Sequence, residues 1–108
     1  MDSNTVEQGK TIAIISYFHL IGIIIAFIMN NDKKNAFASF HIRQMVGLVL
    51  LSLINGFVIG KISFYLSGII GLGLFVLWIM GLISAVQGKD KPVPVLGDKF
   101  QDWFKGIA

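Results

Sequence analysis

The chain has 108 residues, of which 55% are hydrophobic and only 14% charged, with a net charge of +3 at neutral pH. A soluble domain of this size needs more polar surface than that composition supplies. The absence of cysteine removes disulfides, thiolate metal sites, iron–sulfur clusters and c-type haem attachment. No basic stripe with interleaved aromatics is present, so nucleic acid is not an expected partner.

Three uncharged apolar runs cover residues 11–29, 45–60 and 64–86, and every acidic residue (Asp2, Glu7, Asp32, Asp90, Asp98, Asp102) lies outside them. A bilayer core of about 30 Å takes roughly 20 helical residues to cross. The fold class expected is therefore an all-α integral membrane protein: one membrane domain over residues 1–108, three transmembrane helices near 11–29, 36–60 and 63–87, and a C-terminal amphipathic interfacial helix near 98–107. The first run does not read as a signal peptide, since Asp2 and Glu7 precede it and no small-residue cleavage site follows it.

In chain order, the polar stretch 30–35 ends the first span, and Asn35 is placed to cap the second. Residues 45–60 alone reach only about 24 Å at 1.5 Å per residue. The second helix is thus expected to begin near Ala36 and to carry His41, Arg43 and Gln44 through the headgroup layer. Ser63 is a cap for the third helix, which closes at Gln87-Gly88. With three spans, Lys33, Lys34, Arg43, Lys89, Lys91, Lys99 and Lys105 fall on one side and only Lys10 and Lys61 on the other. Basic loops face the cytoplasm, which predicts an external N-terminus and a cytoplasmic C-terminus in a bacterial inner membrane. In the tail, Phe100, Trp103, Phe104 and Ile107 follow the i, i+3, i+4, i+7 spacing of one helical face. That face either lies in the bilayer interface or packs onto this protein or a partner.

Each span carries a small-residue stripe at period four: Gly22 and Ala26, then Ser52, Gly56 and Gly60, then Ser63, Ser67 and Gly71. Small residues let helices approach closely in lipid, and buried polar groups there seek partners on neighbouring helices. In the three-span arrangement Ser16, Asn55 and Ser67 share one layer, while His19, Ser52 and Gly71 share another near mid-membrane. Asn55 reads as an interhelical clamp or as the lining of a polar path. His19 is the one titratable residue deep in a span, and reads either as a neutral ring bonded to a hydroxyl or as a proton or ligand handler. His41 and Gln44 sit three residues apart on one face at the entry of the second span, with Arg43 pointing elsewhere. They either anchor the helix at the interface or contact a partner or the tail.

No enzyme signature is found: there is no phosphate loop, serine–base pair or paired carboxylates, and His19 and His41 lie at different depths. No cofactor is implied. The expected role is a non-enzymatic helical scaffold or subunit that packs with copies of itself or with other membrane proteins. The alternative is a transport component with a polar intramembrane path.

The string Phe40-His41-Ile42-Arg43-Gln44 opening the second span, with Ala85-Val86-Gln87-Gly88 and Pro92-Val93-Pro94 after the last, resembles a bacterial family of small membrane proteins similar to the Tic-twenty-like component of the chloroplast inner-envelope import translocon. The resemblance covers about residues 16–94. It implies a role as an import-like subunit and singles out His41, Arg43 and Gln44. The chloroplast component has four spans, against three expected here.

Overall fold

A computed structural model describes residues 1–107. Five helical elements form a rod with extents of 46 × 22 × 22 Å. Helix α1 (Ser3–Ser16) and α2 (His19–Lys33) are followed by α3, which runs over Ala36–Ile62. Helix α4 is Phe64–Val86, and a short α5 covers Gly97–Trp103 in the tail.

Among the described residues, only α3 and α4 are long and apolar enough to cross a membrane. The first apolar run does not make a third span. It breaks at Tyr17 and Phe18, and His19 enters α2 with φ at 65°. The backbone N–H of Phe18 donates to the Ile15 carbonyl (3.0 Å), which closes a tight turn. The chain then reverses: the Asn35 amide, just beyond α2, donates to the carbonyl of Thr5 near the start of α1 (2.8 Å). Helices α1 and α2 are therefore an antiparallel hairpin. Its arms, 14 and 15 residues long, reach about 21 Å from base to tip, half the length of α3. Gly22 makes the hairpin possible, because a Cβ there would strike the Ile15 carbonyl and the Phe18 side chain.

This reversal corrects the expected topology. The start of α1, the end of α2, the start of α3 and the end of α4 meet at one end of the rod, where Gly88 packs against Val6. The start of α1 and the tail after α4 lie at that end, not on opposite sides. Of the basic residues only Lys61, beside the turn between α3 and α4, sits at the other.

The helix ends follow local chemistry. The Asn35 side chain caps α3 by accepting from the Ala38 N–H (3.0 Å), and the Ser63 hydroxyl caps α4 by accepting from the Leu66 N–H (3.2 Å). Gly88 takes φ of 73° where α4 stops, a left-handed position that glycine adopts without strain. Within α3, residues Asn55–Ile59 form a π-helical turn. Such turns in α-helices often mark sites where a polar group is put to use.

The core lies at the base of the rod. Ile12, Ala13, Phe37, Ile42, Met45 and Phe100 are buried where the hairpin, α3 and the tail converge. Towards the far end α3 and α4 stand alone, and Phe57, Ile62, Phe64, Ile69 and Leu72 are exposed. An apolar surface of this extent suits hydrocarbon rather than water.

The tail helix departs from the expected 98–107. It ends at Trp103, and Phe100 turns inward, its ring over Gly47 of α3 where a Cβ would collide with it. Trp103 remains 61% exposed. The tail packs onto its own bundle through Phe100 in place of the expected interfacial helix.

Candidate functional site

Where the hairpin tip meets α3, three polar side chains from two elements come together at full burial: Tyr17 at the tip, and His41 and Gln44 on α3. The spacing of three puts His41 and Gln44 on one helical face, so both address the same neighbour. Gln44 Nε2 donates to the Tyr17 hydroxyl (2.7 Å), which lies 2.6 Å from His41 Nδ1. His41 Nε2 stands 2.9 Å from the Lys89 carbonyl. A carbonyl only accepts, so Nε2 carries the proton, Nδ1 of the neutral ring accepts, and the tyrosine O–H donates to it. Phe37 and Phe40 close around the imidazole with ring centroids at 4.8 and 5.1 Å.

The same cluster fastens the segment after α4. Gln44 Oε1 accepts from the Val93 N–H (2.9 Å), and Ser84 Oγ donates to the Lys89 carbonyl (2.8 Å). Further along, Arg43 Nε donates to the Ile107 carbonyl (3.0 Å), and Gln101 donates to the Phe40 carbonyl (2.7 Å). His41, Arg43 and Gln44 thus all bind the protein's own tail, which is strapped over the end of the bundle. Arg43 spends its Nε on the tail rather than reaching freely for headgroups.

A second network locks the hairpin base. Asn30 Nδ2 donates to Ser39 Oγ (2.9 Å), and Asn30 Oδ1 accepts from the Asn35 N–H (2.8 Å). Gly9 leaves room for Asn35, whose Oδ1 a Cβ at Gly9 would strike.

Beyond the hairpin tip an open groove of about 520 Å³ separates α3 from α4. Tyr17 and Trp78 form its inner end, and the Trp78 Nε1–H donates to the Tyr17 carbonyl (2.8 Å). His19, Ser52, Asn55 and Gly71 line it. Asn55 and Ser67 form a reciprocal clamp near the far end: Asn55 Nδ2 donates to the Ser67 carbonyl (2.9 Å), and Ser67 Oγ donates to the Asn55 carbonyl (3.0 Å). The expected pairing of Asn55 with Ser67 is present. Ser16 does not join that layer, because the hairpin keeps it at mid-length, where its hydroxyl donates to the Ala13 carbonyl (2.6 Å). His19 and Ser52 share the groove without a hydrogen bond between them among the described residues.

The small-residue positions divide by surroundings. Gly22 and Ala26 are buried in the hairpin packing, and Gly60 and Gly71 lie in the α3–α4 contact, 3.5 Å from Ser67 and Asn55 for an added Cβ. Gly56 faces open space. Phe100 is buried, while Trp103 and Phe104 lie over it at the surface of the strap.

Sequence reasoning passed over Tyr17, Asn30 and Trp78 as functional or organising positions. The signal was available: Ser16-Tyr17-Phe18-His19 concentrates polar groups in the middle of an apolar run, where an unbroken span would have to bury each of them.

Residues 8–99 match the family model described as the magnetosome magnetite crystal formation protein family. The chain is also 33% identical over 90 residues to a UPF0132 membrane protein of Methanocaldococcus jannaschii, across 80% of this chain and 78% of that protein. No solved structure matches. The chain belongs to the magnetosome magnetite crystal formation protein family, and it is a helical membrane protein. The family match overturns the resemblance to a Tic-twenty-like import component. The string around His41 that carried the resemblance is a tail-fastening motif in this fold.

Proposed function

We propose that this member of the magnetosome magnetite crystal formation protein family is a non-enzymatic membrane scaffold, a small helical subunit that holds a charged strap rigid at one face of the bilayer. The observation that carries the proposal is the Tyr17–His41–Gln44 cluster. Its side chains are committed to the hairpin and the tail, so none is left as a free nucleophile or base. The result is a fixed presentation of Lys89, Lys91, Lys99 and Lys105, all exposed, with Asp90, Asp98 and Asp102 interspersed. The bias of basic residues to this end favours a cytoplasmic setting for both termini and the strap. The unfilled positions at Gly68 and Gly73 offer close approach to a second copy or to another membrane subunit. The family description concerns crystal formation in magnetosomes; for this chain, the corresponding role is a structural one in a compartment membrane.

The test is native mass measurement of tagged protein taken from its own membrane into nanodiscs. The expected result is a defined assembly heavier than the 11.9 kDa chain. In Phe100→Ala, which frees the strap, the assembly changes while insertion persists. A lone chain in the nanodisc would refute the proposal.

A further inference from the structure

The groove between α3 and α4 contains an unmet hydrogen-bonding demand. Asn55 is 7% exposed, and its Oδ1 is the one buried side-chain atom among the described residues that has no partner. The Ser67 carbonyl fixes which end of the amide is nitrogen, since only N–H can donate to it. Oδ1 is therefore an acceptor in want of a donor, in a region of the rod whose surroundings are apolar. An orphaned buried polar atom is costly in hydrocarbon, where no bulk water can satisfy it.

From this we propose that the groove binds a membrane-soluble alcohol, a molecule with a long apolar body and one terminal hydroxyl. The volume of about 520 Å³ falls within the range of small-molecule sites. Its lining is mostly apolar, and it opens onto the exposed apolar flank at Phe18 and Phe75, so the occupant enters from the bilayer. The hydroxyl group matches the lining. Its O–H donates to Asn55 Oδ1, and its oxygen accepts from the Ser52 hydroxyl, which has no other acceptor among the described residues. A carboxylate or phosphate has no proton for Oδ1 and would carry a charge into an apolar groove. Trp78 and Phe75, both in the lining, stack with ring centroids 5.9 Å apart and 18° between their planes, a flat aromatic wall against which an apolar chain packs. This inference is independent of the scaffold reading.

The wall supplies its own reporter. The chain has two tryptophans, and Trp103→Phe leaves Trp78 as the only one. In nanodiscs, dibrominated oleyl alcohol is titrated against the dibrominated hydrocarbon of equal length, and Trp78 quenching is read. Binding predicts saturable quenching by the alcohol at about tenfold lower mole fraction than by the hydrocarbon, the value of one net hydrogen bond. Ser52→Ala keeps the Asn55–Ser67 clamp and weakens the preference, and Asn55→Leu removes it. Gly56→Phe fills the groove from a position with free space and abolishes saturable quenching by both probes. Equal curves for the two probes in the wild type overturn the proposal and leave a groove filled by ordinary lipid chains. Trp78 shielded from both probes overturns it in favour of a second copy seated there. An alcohol preference that survives Asn55→Leu and Ser52→Ala together also overturns it.

Discussion

Gln44→Leu isolates the strength of the strap. Leucine is close to glutamine in size, so the cavity term is small and the change is chiefly polar. Two hydrogen bonds are lost: the one to the Tyr17 hydroxyl at 2.7 Å and the one from the Val93 N–H at 2.9 Å. Tyr17 still has His41 as a partner, so its loss is about 1 kcal/mol, typical of a net intramolecular bond. Val93 is 4% exposed, and its N–H is left without an acceptor, which costs about 1–3 kcal/mol. Together they predict about 2–4 kcal/mol, of which about 1–3 kcal/mol falls on the segment between α4 and α5 and the rest on the contact with the hairpin. Amide hydrogen exchange in detergent micelles is the assay. Protection at Val93 is expected to fall by about 5- to 150-fold, at 1.4 kcal/mol per factor of ten, while amides in the middle of α4 change far less. Tyr17→Phe breaks the same 2.7 Å bond from the other side. The double variant should therefore be less destabilised than the sum of the two singles, by about 1 kcal/mol. Strictly additive effects, or unchanged Val93 exchange, would refute the assignment of Gln44 as the fastener of the tail.

Other outcomes follow from the same geometry. With no native cysteine, single cysteines at Asp2, Lys61 and Lys89 can be probed with an impermeant maleimide in sealed vesicles; positions 2 and 89 should label from one side and 61 from the other, and labelling of 2 and 89 from opposite sides would restore a three-span topology. Gly47→Ala should destabilise by about 1–3 kcal/mol because the Phe100 ring occupies the space, whereas Gly56→Ala should gain about 0.5–1 kcal/mol from reduced backbone entropy; thermal unfolding in detergent orders them. His19→Gly should stabilise by about 1 kcal/mol, since φ of 65° is a left-handed conformation costly for a side chain; a lower midpoint would show that the imidazole is held in place by more than the turn. The Asp2 carboxylate, accepting from the Thr5 N–H (2.7 Å), is held below the usual carboxylate range by that backbone bond. A depressed folded pKa means the cap is fully present above the unfolded value of about 3.9 and is lost as pH falls through the folded one. Exchange at Thr5 should therefore accelerate only in that acidic window, and not at all in Asp2→Asn.

Local chemistry made much of the fold legible in the residues alone. The lengths and ends of α3 and α4, the caps at Asn35 and Ser63, the glycine stop at Gly88 and the shared face of His41 and Gln44 all depend on neighbours within one or two helical turns. The Asn55–Ser67 clamp was legible too, because a tight turn at residues 60–63 forces the flanking helices to run side by side. Hydropathy, however, measures how apolar a segment is and carries no direction. An apolar run of 19 residues at 11–29 satisfies the burial requirement equally as one crossing or as two arms of a hairpin, provided its polar groups find partners. Here they do so only in three dimensions: the Trp78 indole N–H, 61 residues away, donates to the Tyr17 carbonyl at the turn, while the Tyr17 hydroxyl donates to His41 and accepts from Gln44. Those long-range bonds decide that the first run turns back, that the start of α1 and the tail share one end, and that a groove with an unpaired Asn55 oxygen opens beyond the tip.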